Sequence, residues 1–307
     1  MEKRVLAGMR SDIEFEGFDG TTLRGWWYAP PEPSAAIAMA HGFSAVKEMA
    51  LDAYAERFCA AGFGVLVYDH RNLGASDGEP RQEIDPWGQV WDFRRALDWL
   101  EGRADVDPER LGLWGSSFSG GEAIIVAACD ERVRAVVANV PLAGFPGVEY
   151  GDTSAEFAAI RDWVLAKPDP ADRDREAVVG PFAVVEEAGN DLVPYLPQAE
   201  SAEWFLRFGA RPGSTWQNKV TLRNVFAGSP PFDPGLCIAH VAPTPLLLVV
   251  ASEDRLAATE VAFDAFARAG EPKQLETIAG HHFVPYEGAG FEAASRAACD
   301  FFVSRLA

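Results

Sequence analysis

The sequence predicts an α/β fold in which a mostly parallel central sheet is flanked by helices and interrupted by one mainly helical insertion. Three observations carry this expectation. Short, nearly continuous apolar runs recur along the chain; helical patterns lie between them; and the alternation stops once, between residues 142 and 235, before it resumes.

The elements follow in order. "DIEFEGF" and "TTLRGWWYAP" alternate apolar and polar residues around Asp19-Gly20, the pattern of an antiparallel hairpin. "AAIAMAHGF" (35–43), "GFGVLVYDH" (62–70), "RLGLWG" (110–115), "VRAVVANVP" (133–141) and "TPLLLVVAS" (244–252) read as strands buried on both faces. "VKEMALDAYAERFCAAG", "DPWGQVWDFRRALDWLEG" and "GGEAIIVAACDE" read as the intervening helices. The second opens on Asp85-Pro86 and repeats apolar residues at helical period. From 142 to 235 no strand is evident, and "SAEWFLRFGA" and "VTLRNVFAG" look helical. A further helix "TEVAFDAFARAG", a strand "KQLETIAG" and a C-terminal amphipathic helix then complete the pattern. The expected division is a core of residues 1–141 and 236–307 with an insertion at 142–235.

Composition narrows the function classes. Apolar residues make up 48% and charged residues 24% of the 307, enough for a sizeable core beneath a hydrated surface. The 27 Lys and Arg against 46 Asp and Glu leave a formal charge of -19, which repels nucleic acid and anionic membrane surfaces. "MEKRVLAGMR" lacks the apolar stretch of a signal peptide, and no segment has the ~18 apolar residues of a membrane span, so a cytoplasmic protein is expected. Cys59, Cys129, Cys237 and Cys299 show no metal-ligand or redox spacing, and Cys59, Cys129 and Cys299, in Ala-rich helical stretches, are expected as buried reduced thiols.

Ligands of open α/β sheets bind beyond the carboxyl ends of the strands. After "RLGLW" stands "GSSFSGGE". A sharp turn that lifts a serine into a cleft needs small residues two before and two after it. Ser116, between Trp114 and Phe118, does not have them. Ser117 and Ser119 do, and Ser117 is favoured because the turn follows the strand at once; Ser119 would cap the first helical turn. A serine nucleophile needs a base and an orienting acid. Glu253 and Asp254 follow "TPLLLVV", and His281 and His282 follow "QLETI". The oxyanion of such chemistry needs two backbone N–H groups, expected at Phe118 and, after the turn permitted by Gly42, at Phe43. His41 is read as structural.

These residues resemble the α/β-hydrolase superfamily, and within it the branch of bacterial and fungal polyketide-tailoring hydrolases and acyltransferases. The likeness runs from about residue 12 through "HGFSAVKEM", "YDHRNLGASDGEPRQEIDPWGQVWDFRRALDWL", "VDPERLGLWGSSFSGG", "WQNKVTLRNV", "TPLLLVVASEDRL" and "GHHFVPYEG". The resemblance implies Ser117 as nucleophile, Asp254 as acid and His282 as base, and gives Asp69 and Arg71 a structural loop. Ser44-Ala45, Asn72, Glu122 and Val284 depart from the branch, where glycines, glycine, histidine and aspartate are usual.

The resemblance further implies that the insertion is a lid, whose aromatics (Phe145, Phe157, Trp163, Phe182, Trp204, Phe205, Phe208, Trp216, Phe226 and Phe232) mostly pack the lid, two to four of them meeting substrate. The expected activity is cleavage of an ester or thioester of an apolar acyl or polyketide-like molecule through an acyl-enzyme. The alternatives are acyl transfer to an alcohol or amine, or elimination of a carboxylate such as acetate. A non-catalytic binding protein is the rival from another class, and the Ser, acid, His order argues against it. No cofactor or metal is expected, nor a nucleic acid or membrane partner; a homodimer is compatible with the sequence.

Overall fold

The computed structural model describes residues 10–30, 32–166, 178–223, 226 and 228–306. The expectation for residues 1–9 at the N-terminus lies outside them. Strands β1 (Arg10–Glu16) and β2 (Thr22–Tyr28) form the expected hairpin, closed by the Gly17 N–H on the Thr21 carbonyl, with Gly20 in left-handed backbone. Next come β3 (Ser34–Ala40), α1 (Leu51–Ala60), β4 (Gly64–Tyr68), a two-residue β5 (Glu83–Ile84), α2 (Pro86–Glu101), β6 (Val106–Ser116), α3 (Phe118–Cys129) and β7 (Val133–Asn139). In the second half lie α4 (Ser154–Leu165), β8 (Val178–Phe182), α5 (Ala199–Gly209), β9 (Val220–Arg223), β10 (Leu246–Ala251), α6 (Thr259–Arg268), β11 (Lys273–Ile278) and α7 (Gly288–Leu306).

The main sheet has eight strands in the order β1-β2-β4-β3-β6-β7-β10-β11, parallel from β4 to β11, with β1 and β2 antiparallel at one edge. The apolar runs are continuous because both faces are covered. On β3, Ile37 and Met39 pack with Tyr54 and Phe58 of α1 and Phe301 and Phe302 of α7. Ala36, Ala38 and Ala40 face the opposite layer with α2, α3 and α6. The chain leaves β3 and β6, which are neighbours, in opposite directions across the sheet. A crevice therefore opens between the loops that follow them.

Several elements differ from the sequence pattern. The helix read from residue 46 begins at Leu51, because Asp69 takes the Lys47 N–H (2.7 Å) and its ammonium (2.6 Å) and holds that stretch as turns. Residues 142–235 are not without strands: β8 and β9 join β5 in a second sheet of order β5-β9-β8. "VTLRNVFAG" contributes β9 rather than a helix; Val220 and Leu222 are buried while Thr221 and Arg223 are half-buried, and residues 224, 225 and 227 lie outside the described part. Strands of four or five residues are too short to declare a period, and the partner β5 has two. Cys59, Cys129 and Cys237 are buried, whereas Cys299 is only half-buried. Among the described residues, no helix is long and apolar enough to cross a membrane.

Candidate active site

Ser117 stands at the carboxyl end of β6 as the N-cap of α3, with φ 56° and ψ -114°. A β-carbon in left-handed backbone is strained, and the surroundings must hold it there. The Ser117 N–H donates to the Asn139 carbonyl (2.8 Å), and the Ser117 carbonyl accepts from the Leu142 N–H (2.9 Å). The closeness of the turn falls on Gly115, where an added β-carbon would lie 2.0 Å from the Ser119 carbonyl oxygen, and on Gly121, where it would lie 2.5 Å from that of Leu142. The position of Ser119 itself accepts a side chain.

The three serines have separate partners. Ser116 is buried against the Tyr286 hydroxyl and the Asn139 amide. Ser119 does not cap a free N–H as the sequence suggests; its hydroxyl meets the His41 carbonyl, His70 and Glu122. Ser117 Oγ lies 2.9 Å from His282 Nε2, and His282 Nδ1 lies 2.6 Å from Asp254 Oδ2.

Asp254 follows β10 and His282 follows β11, so neighbouring strands deliver them side by side. Burial opposes ionisation of Asp254, but the hydrogen bond and charge of His282, with the Ala257 and Leu256 N–H groups on Oδ1, outweigh it and lower its pKa. An ionised Asp254 accepts from His282 Nδ1–H, which leaves the Nε2 lone pair facing the Ser117 hydroxyl. Glu253 and His281 are exposed. His281 instead borders an outer groove with Glu200, Glu203, Arg207 and Glu287.

Phe118 follows Ser117 as the first residue of α3, where a helix N-terminus leaves its amide free of intrahelical bonds. The turn His41-Gly42-Phe43 after β3 packs against the serine: a β-carbon on Gly42 would sit 2.9 Å from Ser117 Cβ. Nearby Ser44 (φ 53°) and Asn72 (φ 66°) hold left-handed backbone, the conformation that favours glycine at these two positions. His41 and His70 are fully buried, and burial lowers the pKa of both. Arg71 sets a two-pronged contact on Asp92 (2.6 and 2.7 Å) and also reaches Asp19 (2.9 Å).

A cavity of about 190 Å³ opens on Ser117 and His282. Its lining includes Phe43, Phe118 and Leu256 from the core and Phe145, Tyr195, Trp204, Phe205 and Phe226 from residues 142–235, with no Asp, Glu, Lys or Arg among the described residues. Four of the ten aromatics singled out in the insertion therefore line it. The other described contacts are packing: Trp163 meets Trp91, and Phe232 lies against Phe118 and Trp87. Tyr195 and Tyr286 were not singled out by the sequence. Their signals are slight: Tyr195 sits between prolines in "VPYLP", and Tyr286 follows His282 by one turn.

Comparison with known proteins adds the following. The sequence signature of the family described as X-Pro dipeptidyl-peptidase (S15 family) matches residues 19–284. The chain is 32% identical over 306 residues to "Thiohydrolase aneE" of Aspergillus aculeatus, covering 97% of this chain and 94% of that one. It is 30% identical to "Polyketide transferase grgF" of a Penicillium species, covering 97% of each. Among solved structures, the alpha/beta hydrolase GrgF from Penicillium sp. sh18 superposes with a TM-score of 0.76 at 27% identity, over 97% of this chain and 99% of that one.

Proposed function

The chain belongs to the X-Pro dipeptidyl-peptidase (S15) family and is an enzyme of the α/β-hydrolase fold, and from that premise we propose that it cleaves an ester or thioester of an apolar acyl or polyketide-like substrate through an acyl-enzyme on Ser117. The observation that carries this reading is the hydrogen-bonded line Ser117–His282–Asp254 at a cavity whose described lining is mostly apolar and aromatic. His282 takes the Ser117 proton as Oγ attacks the carbonyl. The Phe43 and Phe118 N–H groups hold the oxyanion, and the proton on His282 passes to the leaving thiolate or alkoxide. Water then attacks the acyl-enzyme, giving a proton to His282, and the acid departs as Ser117 recovers it.

In this reading the inserted segment serves as the lid, since its Phe145, Tyr195, Trp204, Phe205 and Phe226 line the cavity together with Ser117. Acyl transfer to an alcohol or amine is the second reading, supported by a relative named for polyketide transfer. The free thiols of Cys129, Cys237 and Cys299 support a cytoplasmic setting.

The test is labelling by a fluorophosphonate together with hydrolysis of apolar acyl thioesters. Ser117→Ala is expected to lose labelling and roughly 10⁶-fold in kcat; full activity in that variant overturns the mechanism. Intact-mass detection of an acyl adduct excludes simple elimination, and products formed with added amine or alcohol separate transfer from hydrolysis.

A further inference from the structure

Behind the nucleophile turn lies a buried group of polar side chains that the proposed chemistry does not use. Ser119 Oγ is 2.5 Å from the His41 carbonyl oxygen, 2.7 Å from Glu122 Oε2 and 2.7 Å from His70 Nε2. Ser119 and Glu122 are fully buried and His70 almost so. Among the described residues, Glu122 forms no ion pair with Lys or Arg; its nearest basic group is His70, at 3.4 Å.

Hydrogen-bond chemistry restricts the protons here. A hydroxyl carries one proton, and the His41 carbonyl can only accept. If Glu122 were ionised it too could only accept, and one of the two contacts would lack a proton. Every contact is satisfied when Glu122 is protonated and donates to Ser119 Oγ, His70 donates from Nε2, and Ser119 gives its proton to the His41 carbonyl. The His70 backbone N–H then reaches His41 Nε2 (3.1 Å), and His41 Nδ1–H reaches the Gly42 carbonyl (3.0 Å). The chain of bonds ends on the turn that carries Phe43.

We propose that Glu122, as a neutral carboxylic acid, is a positioning residue: by donating to Ser119 it directs the Ser119 proton onto the His41 carbonyl and so holds the His41-Gly42-Phe43 turn in register with Ser117. The inference rests on the reading of Phe43 as an oxyanion donor. Ionised Glu122 takes the Ser119 proton for itself, leaves the His41 carbonyl without its donor and loosens the turn.

Burial, with the charge of Asp92 acting in the same sense and the Ser119 contact against it, raises the Glu122 pKa to about 8. The groups that face it are Asp92 on α2, which is bound to Arg71; Tyr68 at the end of β4; His70 beyond it; and His41 after β3. The raised value means that the folded state holds this proton more tightly than the unfolded chain. The stabilising contribution is complete below the unfolded glutamate value and is lost as pH rises through about 8.

The experiment compares kcat against pH for the parent and Glu122→Gln with an apolar acyl thioester. The parent is expected to lose roughly tenfold in kcat between about pH 7 and about pH 9 with little change in KM, as for one group titrating midway. Glu122→Gln keeps an N–H donor to Ser119 at every pH and is expected to lose that alkaline limb. Coincident profiles overturn the inference. Carboxyl ¹³C spectra of glutamate-labelled parent protein test it without activity and without a variant: one carboxyl titrating near pH 8 is expected, and titration of every glutamate below about pH 6 overturns it. Fluorophosphonate labelling of Ser117 in the same samples separates the two claims. Absent labelling defeats the acyl-enzyme reading, whereas labelling with unaltered alkaline behaviour in Glu122→Gln defeats this one alone.

Discussion

Tyr195, from the inserted segment, lies flat against Phe43, with ring centroids 4.8 Å apart and planes inclined by 17°. Phe43 in turn meets Phe118 edge-on at 5.9 Å. The two residues assigned to the oxyanion are thus joined through their rings, and one of them stacks on Tyr195 of the inserted segment. Aromatic pairs of this kind contribute about 0.5–1.5 kcal/mol beyond their buried area. Tyr195→Ala is expected to lower kcat/KM for an apolar thioester by roughly threefold to tenfold, and Tyr195→Phe to retain it. Steady-state kinetics of the pair check this; equal loss in both would move the effect from the ring to the hydroxyl.

Gly42 is expected to tolerate no side chain. Its added β-carbon would lie 2.9 Å from Ser117 Cβ and 3.1 Å from the Ser116 carbonyl oxygen, so the turn or the nucleophile must move. A displacement of this kind costs on the order of 10²-fold in kcat while the bulk of the fold stays packed. Gly42→Ala should therefore lose activity with a Tm close to that of the parent, which kinetics and thermal denaturation measure together.

Asp254→Asn keeps the volume of the side chain but removes the charge that orients His282 Nδ1–H. With the wrong tautomer favoured, kcat is expected to fall roughly 10⁴-fold. The same carboxyl has a lowered folded-state pKa, so its stabilising contribution is present above the unfolded carboxylate range and lost as pH falls through the folded value. Asp254→Asn should accordingly flatten the acid side of the stability curve. Denaturant unfolding of both proteins between about pH 5 and about pH 3 records the difference.

Asp92 and Arg71 are a buried pair, and Asp92 also accepts the Phe18 N–H (3.1 Å) at the hairpin. Truncation to Asp92→Ala leaves a guanidinium without this partner in the interior and a cavity beside it. The expected loss is about 3–5 kcal/mol of stability. Equilibrium urea unfolding gives the value, and any loss of activity should follow the unfolded fraction.

Much of the fold was legible because a strand buried on both faces must be apolar throughout, and that pattern is local. Ser117 and Asp254 each follow such a run and His282 follows the short edge strand "KQLETI", so their positions at strand ends could be read one at a time. The pattern could not choose within the pairs Glu253 and Asp254 or His281 and His282. Adjacent residues in a turn point in different directions, and which direction is inward depends on where the neighbouring strand lies. The resemblance pointed to Asp254 and His282, and in the structure these two face one another.

What the sequence by itself determined is the alternation of strands and helices, the break after Pro141 and the small-residue turn around Ser117. Tertiary structure alone decided the rest. The second sheet joins residues 83–84 to 178–182 and 220–223, segments too short to carry a period and far apart along the chain. Ser119 reaches His41 and His70, and Glu122 reaches His70, because strand order places β3, β4 and β6 side by side, and Tyr195 reaches Phe43 from the inserted segment. Local composition fixes backbone preference through propensity and apolar period, whereas proton sharing and ring contact require groups from separate segments to arrive within a few ångströms of one another.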